Sequence, residues 1–340
     1  MNKLKIGLLG VGHLGKIHLK CILATSCWEL AGFYDPDEKN AASVLAQYPE
    51  LRRFVSLKDL LLEVDAVDIV TPTVTHYVLA TQALRAGKHV FLEKPVTETV
   101  SEGRRLLKLA EKQGVKVQVG HVERFNPAFQ AMQGVRSNPM FIEGHRLAAF
   151  SPRGTDVSVI LDLMIHDLDL ILQLVNSPVK HVSASGVAVL SHTPDIANAR
   201  IEFANGCVAN LTASRISLKQ MRKMRIFQPF AYISLDFLDK TAQIVQLFAP
   251  DAANLPPQDQ LMEFDTPGGK KWLHMQMPET APVNAIQREL ETFYDSIAQN
   301  TTPVVSLSDG LRALDLAHRI LKEVEKRVEI GLQTTGIPLP

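Results

Sequence analysis

The chain has 340 residues, 46% of them hydrophobic and 21% charged, and its 36 basic residues balance 36 acidic ones for a formal net charge of zero. That is enough chain for two domains, and it excludes a protein drawn to its partner by bulk charge. Nucleic acid needs clustered Lys and Arg, and short pairs such as Arg52-Arg53 and Lys270-Lys271 do not form a basic stripe.

No membrane partner is expected either. The chain has no uninterrupted apolar stretch of ~20 residues, and its N-terminus enters a strand pattern without a long apolar signal core, so a cytoplasmic protein is the expectation. The odd set Cys21, Cys27 and Cys207 lacks C-x-x-C and zinc-ligand spacing and reads as small hydrophobes rather than disulfides or a structural metal site.

In chain order, residues 3–9 form an apolar run that breaks into Gly10-Val-Gly12-His13-Leu14-Gly15 and then a helical pattern to about Ala24. A second strand, 30–34, ends at Asp35-Pro36, and 38–47 has helix-forming composition. Strand, helix, strand, helix and strand follow over 64–70, 75–86, 89–92, 101–113 and 115–119. Such alternation implies a parallel sheet wound on both faces.

After Gly120 the pattern changes. Beyond a helix at about 160–174, strand-like segments succeed one another from 181 to 248, with Ala204-Asn205-Gly206 as a hairpin signal. Consecutive strands without intervening helices make an antiparallel sheet. The domains therefore divide as 1–121 and 122–340. Residues 250–282, rich in Pro and Gly, read as a long loop, and two closing helices over 285–299 and 309–328 are free to pack back on the first domain.

The glycine turn gains meaning from its surroundings, since it follows the first strand, opens a helix, and has Asp35 at the end of the next strand. In a dinucleotide site Gly10 allows the tight turn, Gly12 lets the backbone approach a pyrophosphate at the helix N-terminus, and Gly15 lets helix pack on strand. Asp35 would accept from the ribose hydroxyls and repel a 2'-phosphate, which favours NAD over NADP. A doubly wound domain without a dinucleotide is the alternative. His13 and Leu14 lie inside the turn, within reach of such a cofactor.

Two further features carry chemistry. Lys94 ends an apolar strand in His89-Val-Phe-Leu-Glu93-Lys94-Pro95, and Asp162, His166, Asp169 and Gln173, at i, i+4, i+7 and i+11, share one face of an otherwise apolar helix. An imidazole titrating near ~6.5 can take a hydroxyl proton, and a lysine beside a nicotinamide can polarise the reacting oxygen. The same stripe could instead pair within a domain interface, or Asp162 and His166 could hold a metal with His121 or His145.

Taken together, the glycine turn, Thr71-Pro72 with His76, Glu93-Lys94-Pro95, and Asp162 with His166 resemble the glucose-fructose oxidoreductase and inositol dehydrogenase (Gfo/Idh/MocA) family along nearly the whole chain. The resemblance implies a Rossmann domain with a C-terminal α/β domain carrying an open, mostly antiparallel sheet. It places Thr71, Pro72, His76, Glu93 and Lys94 against the cofactor, with the Lys94-Pro95 bond cis. His166 becomes the acid/base, with Asp162 and Lys94 orienting the substrate.

The segments Gly10–Gly15 with His18, Gly120-His-Val-Glu-Arg124-Phe-Asn126-Pro127 and Arg153–Asp167 are similar to the branch that oxidises the 3-hydroxyl of UDP-N-acetylglucosamine and feeds a pyridoxal-phosphate aminotransferase. That puts Arg124, Asn126, Arg153 and Asp156 near a sugar nucleotide. Arginine suits bidentate phosphate contacts, although Arg124 and Arg153 could equally form an interface salt bridge. Ser158 stands where the motif carries glycine, and serine suits a helix start. A free sugar or polyol substrate, or a non-catalytic protein that binds NAD and sugar to regulate a partner, is the alternative. A homodimer or homotetramer is expected, because an open sheet face leaves apolar surface in water.

Overall fold

The structure, a computed structural model, describes residues 3–132, 134–135, 137–150, 157–280 and 283–335. Two compact units emerge from it. The first comprises the chain up to Phe125 with Val283–Asp315, and the second comprises 126–282 with the chain from Leu316 on.

The first unit begins with β1 (Leu4–Leu9), α1 (His13–Ala24), β2 (Trp28–Tyr34), α2 (Glu38–Gln47), α3 (Leu57–Glu63), β3 (Ala66–Ile69), α4 (Thr73–Arg85), β4 (His89–Glu93), α5 (Val100–Gln113) and β5 (Val117–Gly120). Its five strands pair in parallel in the order β2-β1-β3-β4-β5. The order turns back at β1, where the chain crosses to β3, and open α/β sheets bind ligands outside the carboxyl ends of their strands at such a point.

Helix α3 lies where the sequence reading named no element. Ser56 caps it by accepting from Asp59 N–H, and Leu57, Leu60 and Leu61 bury one face. Helix α5 is bounded by a capping box between Thr99 and Glu102 and by the left-handed Gly114 at φ 67°. All four β3 residues are buried, as in a sheet covered on both faces, so Asp68 within that strand requires a partner.

The second unit holds α6 (Pro127–Gln130), β6 (Phe141–Leu147), a π-helical turn (Ile160–Met164) running into α7 (Ile165–Leu174), and then β7 (Val179–Val187), β8 (Ile196–Phe203), β9 (Val208–Ser214), β10 (Met221–Gln228), β11 (Ala231–Asp236), β12 (Thr241–Phe248), β13 (Leu261–Thr266) and β14 (Gly269–Gln276). Among the described residues these strands form a sheet ordered β13-β14-β12-β11-β10-β6-β9-β8-β7. Every pairing is antiparallel except β6 with β9. Gly206, at φ 89°, makes the turn between β8 and β9.

One expectation fails here. Residues 250–282 are not one long loop, since β13 and β14 form a hairpin turning at Pro267-Gly268. Proline and glycine here mark the point where two paired strands reverse rather than an extended loop.

The chain closes with α8 (Ala285–Ala298) in the first unit and α9 (Leu307–Thr335), whose residues fall to both. Trp28 donates from Nε1 to the Leu290 carbonyl at 2.9 Å, and its ring lies 5.7 and 5.5 Å from Phe293 and Tyr294. Phe293 is completely buried, so removing its ring would cost about 3–5 kcal/mol.

Candidate active site

The turn between β1 and α1 needs glycine at two of its three glycine positions. Gly10 sits at φ 89°, and a Cβ there would meet the Val70 carbonyl oxygen at 2.6 Å; one on Gly15 would run into the Gly10 carbonyl. Gly12 is the opposite, with no atom within 4 Å of where its Cβ would be. It caps α1 without a side-chain hydrogen bond, and no acid occupies the first turn. Open space before a helix start whose N–H groups lack a side-chain cap fits a pyrophosphate. His13 and Leu14 are exposed beside it.

Asp35 is buried and ties the turn to the end of β2, its Oδ2 accepting from Val11 N–H and its Oδ1 from Asp37 N–H, both at 2.8 Å. A carboxylate has about four acceptor sites, so capacity for ribose hydroxyls remains.

His76 is a staple. Its Nδ1 lies 2.8 Å from the Pro95 carbonyl and its Nε2 2.9 Å from the Thr71 carbonyl, so it sits between the loops that follow β3 and β4, and as a neutral ring it donates to one of the two carbonyls. Burial holds its pKa below the usual histidine value, with the two carbonyls pulling the other way. Thr71 accepts from the Thr75 hydroxyl at 2.7 Å, and Pro72 precedes α4. The Lys94-Pro95 bond is cis.

Lys94 is half-buried at the end of β4, and its backbone N–H donates to Oε2 of its own neighbour Glu93 at 3.1 Å. The other Glu93 oxygen, Oε1, is 3.2 Å from His18 Nε2, and His18 Nδ1 is 2.9 Å from Asp68 Oδ2. Thus Asp68 finds its partner, and Glu93 is engaged inside the unit. The sequence singles out His18 and Glu93 separately but does not link them to each other or to Asp68, because the three are far apart in the chain.

In the second unit Asp162 and His166 are half-buried, Asp169 is buried and Gln173 is exposed. Asp162 lies in the π-helical turn, where i→i+5 bonding adds a residue to the turn, so its angular offset from His166 differs from that in a continuous α-helix. Beside His166, Asp167 is buried in a two-pronged bond with Arg146 of β6, Nε to Oδ2 at 3.0 Å and Nη2 to Oδ1 at 2.8 Å. Ser158 accepts from Ile160 N–H at 3.2 Å at the start of this segment.

The other sequence candidates divide. Arg124 is buried in the first unit, donating to the Val304 carbonyl at 3.3 Å with Asp309 at 3.8 Å. Asn126 caps α6, its Oδ1 accepting from Ala128 N–H at 3.0 Å and its Nδ2 donating to the Phe237 carbonyl at 3.1 Å. Arg153 and Asp156 lie outside the described residues. His145 alternates with Arg146 along β6 and so points to the sheet face away from Asp167; no metal-holding cluster of three His, Cys, Asp or Glu side chains occurs among the described residues.

Comparison with known proteins agrees with this architecture. The sequence profile described as "Oxidoreductase family, NAD-binding Rossmann fold" matches residues 4–121, and that of the "GFO/IDH/MocA C-terminal domain" matches 133–228. The chain belongs to the Gfo/Idh/MocA family. As a member it is an NAD-binding oxidoreductase. It is 37% identical to UDP-N-acetylglucosamine 3-dehydrogenase of Acidithiobacillus ferrooxidans, over 96% of this chain and 98% of that protein. A solved structure of that enzyme superposes with a TM-score of 0.85, covering 96% of this chain and 99% of the other. Inositol 2-dehydrogenase of Rhizobium meliloti, a Gfo/Idh/MocA relative from another branch, is 24% identical over 96% of this chain and 99% of its own. No helix among the described residues is long and apolar enough to cross a membrane.

Proposed function

We propose that this chain is an NAD-dependent dehydrogenase that oxidises the 3-hydroxyl of a UDP-N-acetylglucosamine-type sugar nucleotide. The observation that carries the reading is 37% identity, over 96% of the chain, to a UDP-N-acetylglucosamine 3-dehydrogenase. Gly10, Gly12 and Gly15 hold the pyrophosphate of NAD, with His13 and Leu14 beside it. Asp35 takes the ribose, and its charge disfavours the 2'-phosphate of NADP. NAD, when bound, supplies the hydride acceptor.

His166 takes the proton of the reacting hydroxyl as the carbon-bound hydrogen leaves with its electron pair. Lys94 stabilises the negative charge that develops on that oxygen, and Asp162 orients the hydroxyl toward His166. Arg124 and Asn126 are already engaged within their own units, so any contact they make with the sugar nucleotide uses their remaining capacity. Arg153 and Asp156 complete that substrate set.

The 3-keto product suits consumption by a pyridoxal-phosphate aminotransferase in a cytoplasmic sequence of reactions. A homodimer or homotetramer is supported by apolar side chains left exposed on β10, β13 and β14, Phe227, Met262, Phe264 and Met275, and light scattering that gives a monomer would contradict it.

The test incubates the protein with NAD, UDP-N-acetylglucosamine and an aminotransferase with its amino donor, and follows the sugar nucleotide by mass spectrometry. The expected result is a keto intermediate lighter by one hydride and one proton, drawn on to the amino sugar. Oxidation of inositol or another free polyol in preference would transfer the protein to the other branch. Tight NAD binding with no turnover across a broad sugar panel would make it a binding module.

A further inference from the structure

His18 is fully buried on α1, yet both its ring nitrogens face carboxylates, Asp68 of β3 at 2.9 Å and Glu93 of β4 at 3.2 Å. Nδ1 is hydrogen-bonded to Asp68, while Nε2 lies at ion-pair distance from Glu93 without a hydrogen-bond partner, so a doubly protonated ring would set one positive charge between the two carboxylates. Glu93 in turn uses its second oxygen to accept from Lys94 N–H at 3.1 Å. Gly120 makes this possible, because a Cβ there would come within 2.6 Å of the Glu93 carboxylate. The chain of contacts thus runs from the β3 strand through His18 and Glu93 to the backbone of Lys94.

We propose that His18 is a positioning residue for Lys94, a buried imidazolium that holds Glu93 against the Lys94 N–H and thereby fixes where the lysine side chain leaves the sheet. The inference rests on Lys94 being at the reaction centre. Burial alone would pull the His18 pKa down, but Asp68 and Glu93 outweigh it and hold it well above the usual histidine value; Glu93 is held low by His18 and Lys94 against its own burial. Asp68 is pushed up by burial. The other titratable neighbour is Cys21 on the same helix, whose thiol feels the charges of His18, Asp68 and the buried Glu289 of α8. One cation between two desolvated carboxylates keeps Glu93 ionised and oriented, and misplacing a reactive group by about 1 Å can cost about 10²-fold in rate.

The experiment has three readings. Nitrogen-15 histidine NMR of the unaltered protein at pH 8 is expected to show His18 with both nitrogens protonated, and a single neutral tautomer would overturn the proposal. His18→Gln, with its thermal midpoint recorded, is expected to lower kcat by about 10- to 10²-fold with NAD affinity within about threefold, and the double variant with Glu93→Gln is expected to be no worse than Glu93→Gln alone. Losses that simply multiply would mean that His18 does not act through Glu93.

Lastly, acylation of Lys94 by acetic anhydride, mapped by mass spectrometry, needs no substrate. Its rate is expected to change by roughly threefold or more in His18→Gln, and an unchanged rate sinks the positioning role even if turnover falls. A changed rate in a protein that oxidises no sugar nucleotide would leave His18's role standing and remove only the substrate assignment.

Discussion

The two units set the side chains proposed to react, Lys94 and His166, by parallel means that differ in one respect. In the first, Lys94 follows a buried carboxylate, Glu93, anchored by a histidine; in the second, His166 precedes a buried carboxylate, Asp167, anchored by an arginine. Lys94 and His166 are each half-buried while the neighbour in sequence is locked in the interior. The anchors are not equivalent, since a guanidinium keeps its charge at any working pH and grips both carboxylate oxygens, whereas an imidazolium can lose its proton. The lysine's setting is therefore the one open to titration.

Removing the two side chains proposed to react gives the largest expected effect. Lys94→Ala and His166→Ala should each lower turnover by about 10²–10⁴-fold while NAD still binds, as isothermal titration would show. Equal, small losses in both would mean that neither anchored position carries the chemistry.

Breaking the arginine anchor comes next. Arg146→Ala leaves the Asp167 carboxylate buried without its cation, at an expected cost of about 3–5 kcal/mol in denaturant unfolding, while a double replacement by apolar residues of similar volume should recover much of it. If Arg146→Ala were neutral, the contrast between the two anchors would fail.

The acid limb sharpens the comparison through a third buried carboxylate, Asp195, which among the described residues has Arg215 as its nearest cation, at 4.0 Å, and is held by the N–H groups of Val189, Leu190 and Ser191. Burial opposes its ionisation, but those donors prevail and take its pKa down to about 2. A lowered carboxylate stabilises the fold above its unfolded value of ~3.9 and loses that contribution as pH falls through about 2, so about 2 kcal/mol should disappear across that window and be absent in Asp195→Asn. His18 has the opposite sign, since its raised pKa stabilises below ~6.5 and the benefit fades as pH rises through the folded value.

The smallest effect expected is at Asp35. Asp35→Asn should weaken NAD binding by roughly tenfold and narrow the preference over NADP, measured by fluorescence of the bound reduced cofactors. An unchanged preference would show that cofactor choice lies elsewhere.

Much of the first unit can be read from residues 4–93 because its constraints are local. Gly10 needs a positive φ, and Gly15 needs to lack a Cβ, within a few residues of each other. The hairpin of β13 and β14 is not legible in the sequence because Pro267 and Gly268 say that the chain turns, without saying that its flanks pair. The π-helical turn at Ile160–Met164 was invisible, since Asp162 and His166 share a face at i, i+4 in a regular helix too. His18, Asp68 and Glu93 could not be linked from sequence at all, because their association exists only once α1 lies against β3 and β4.

The most direct measurement uses UDP-N-acetylglucosamine deuterated at C3 in a single turnover with NAD. Deuterium recovered on the reduced nicotinamide, lost in both Lys94→Ala and His166→Ala, is the result expected of hydride transfer from C3 assisted by these two side chains. Reduced cofactor without deuterium, or no reduction while inositol is oxidised, would contradict it.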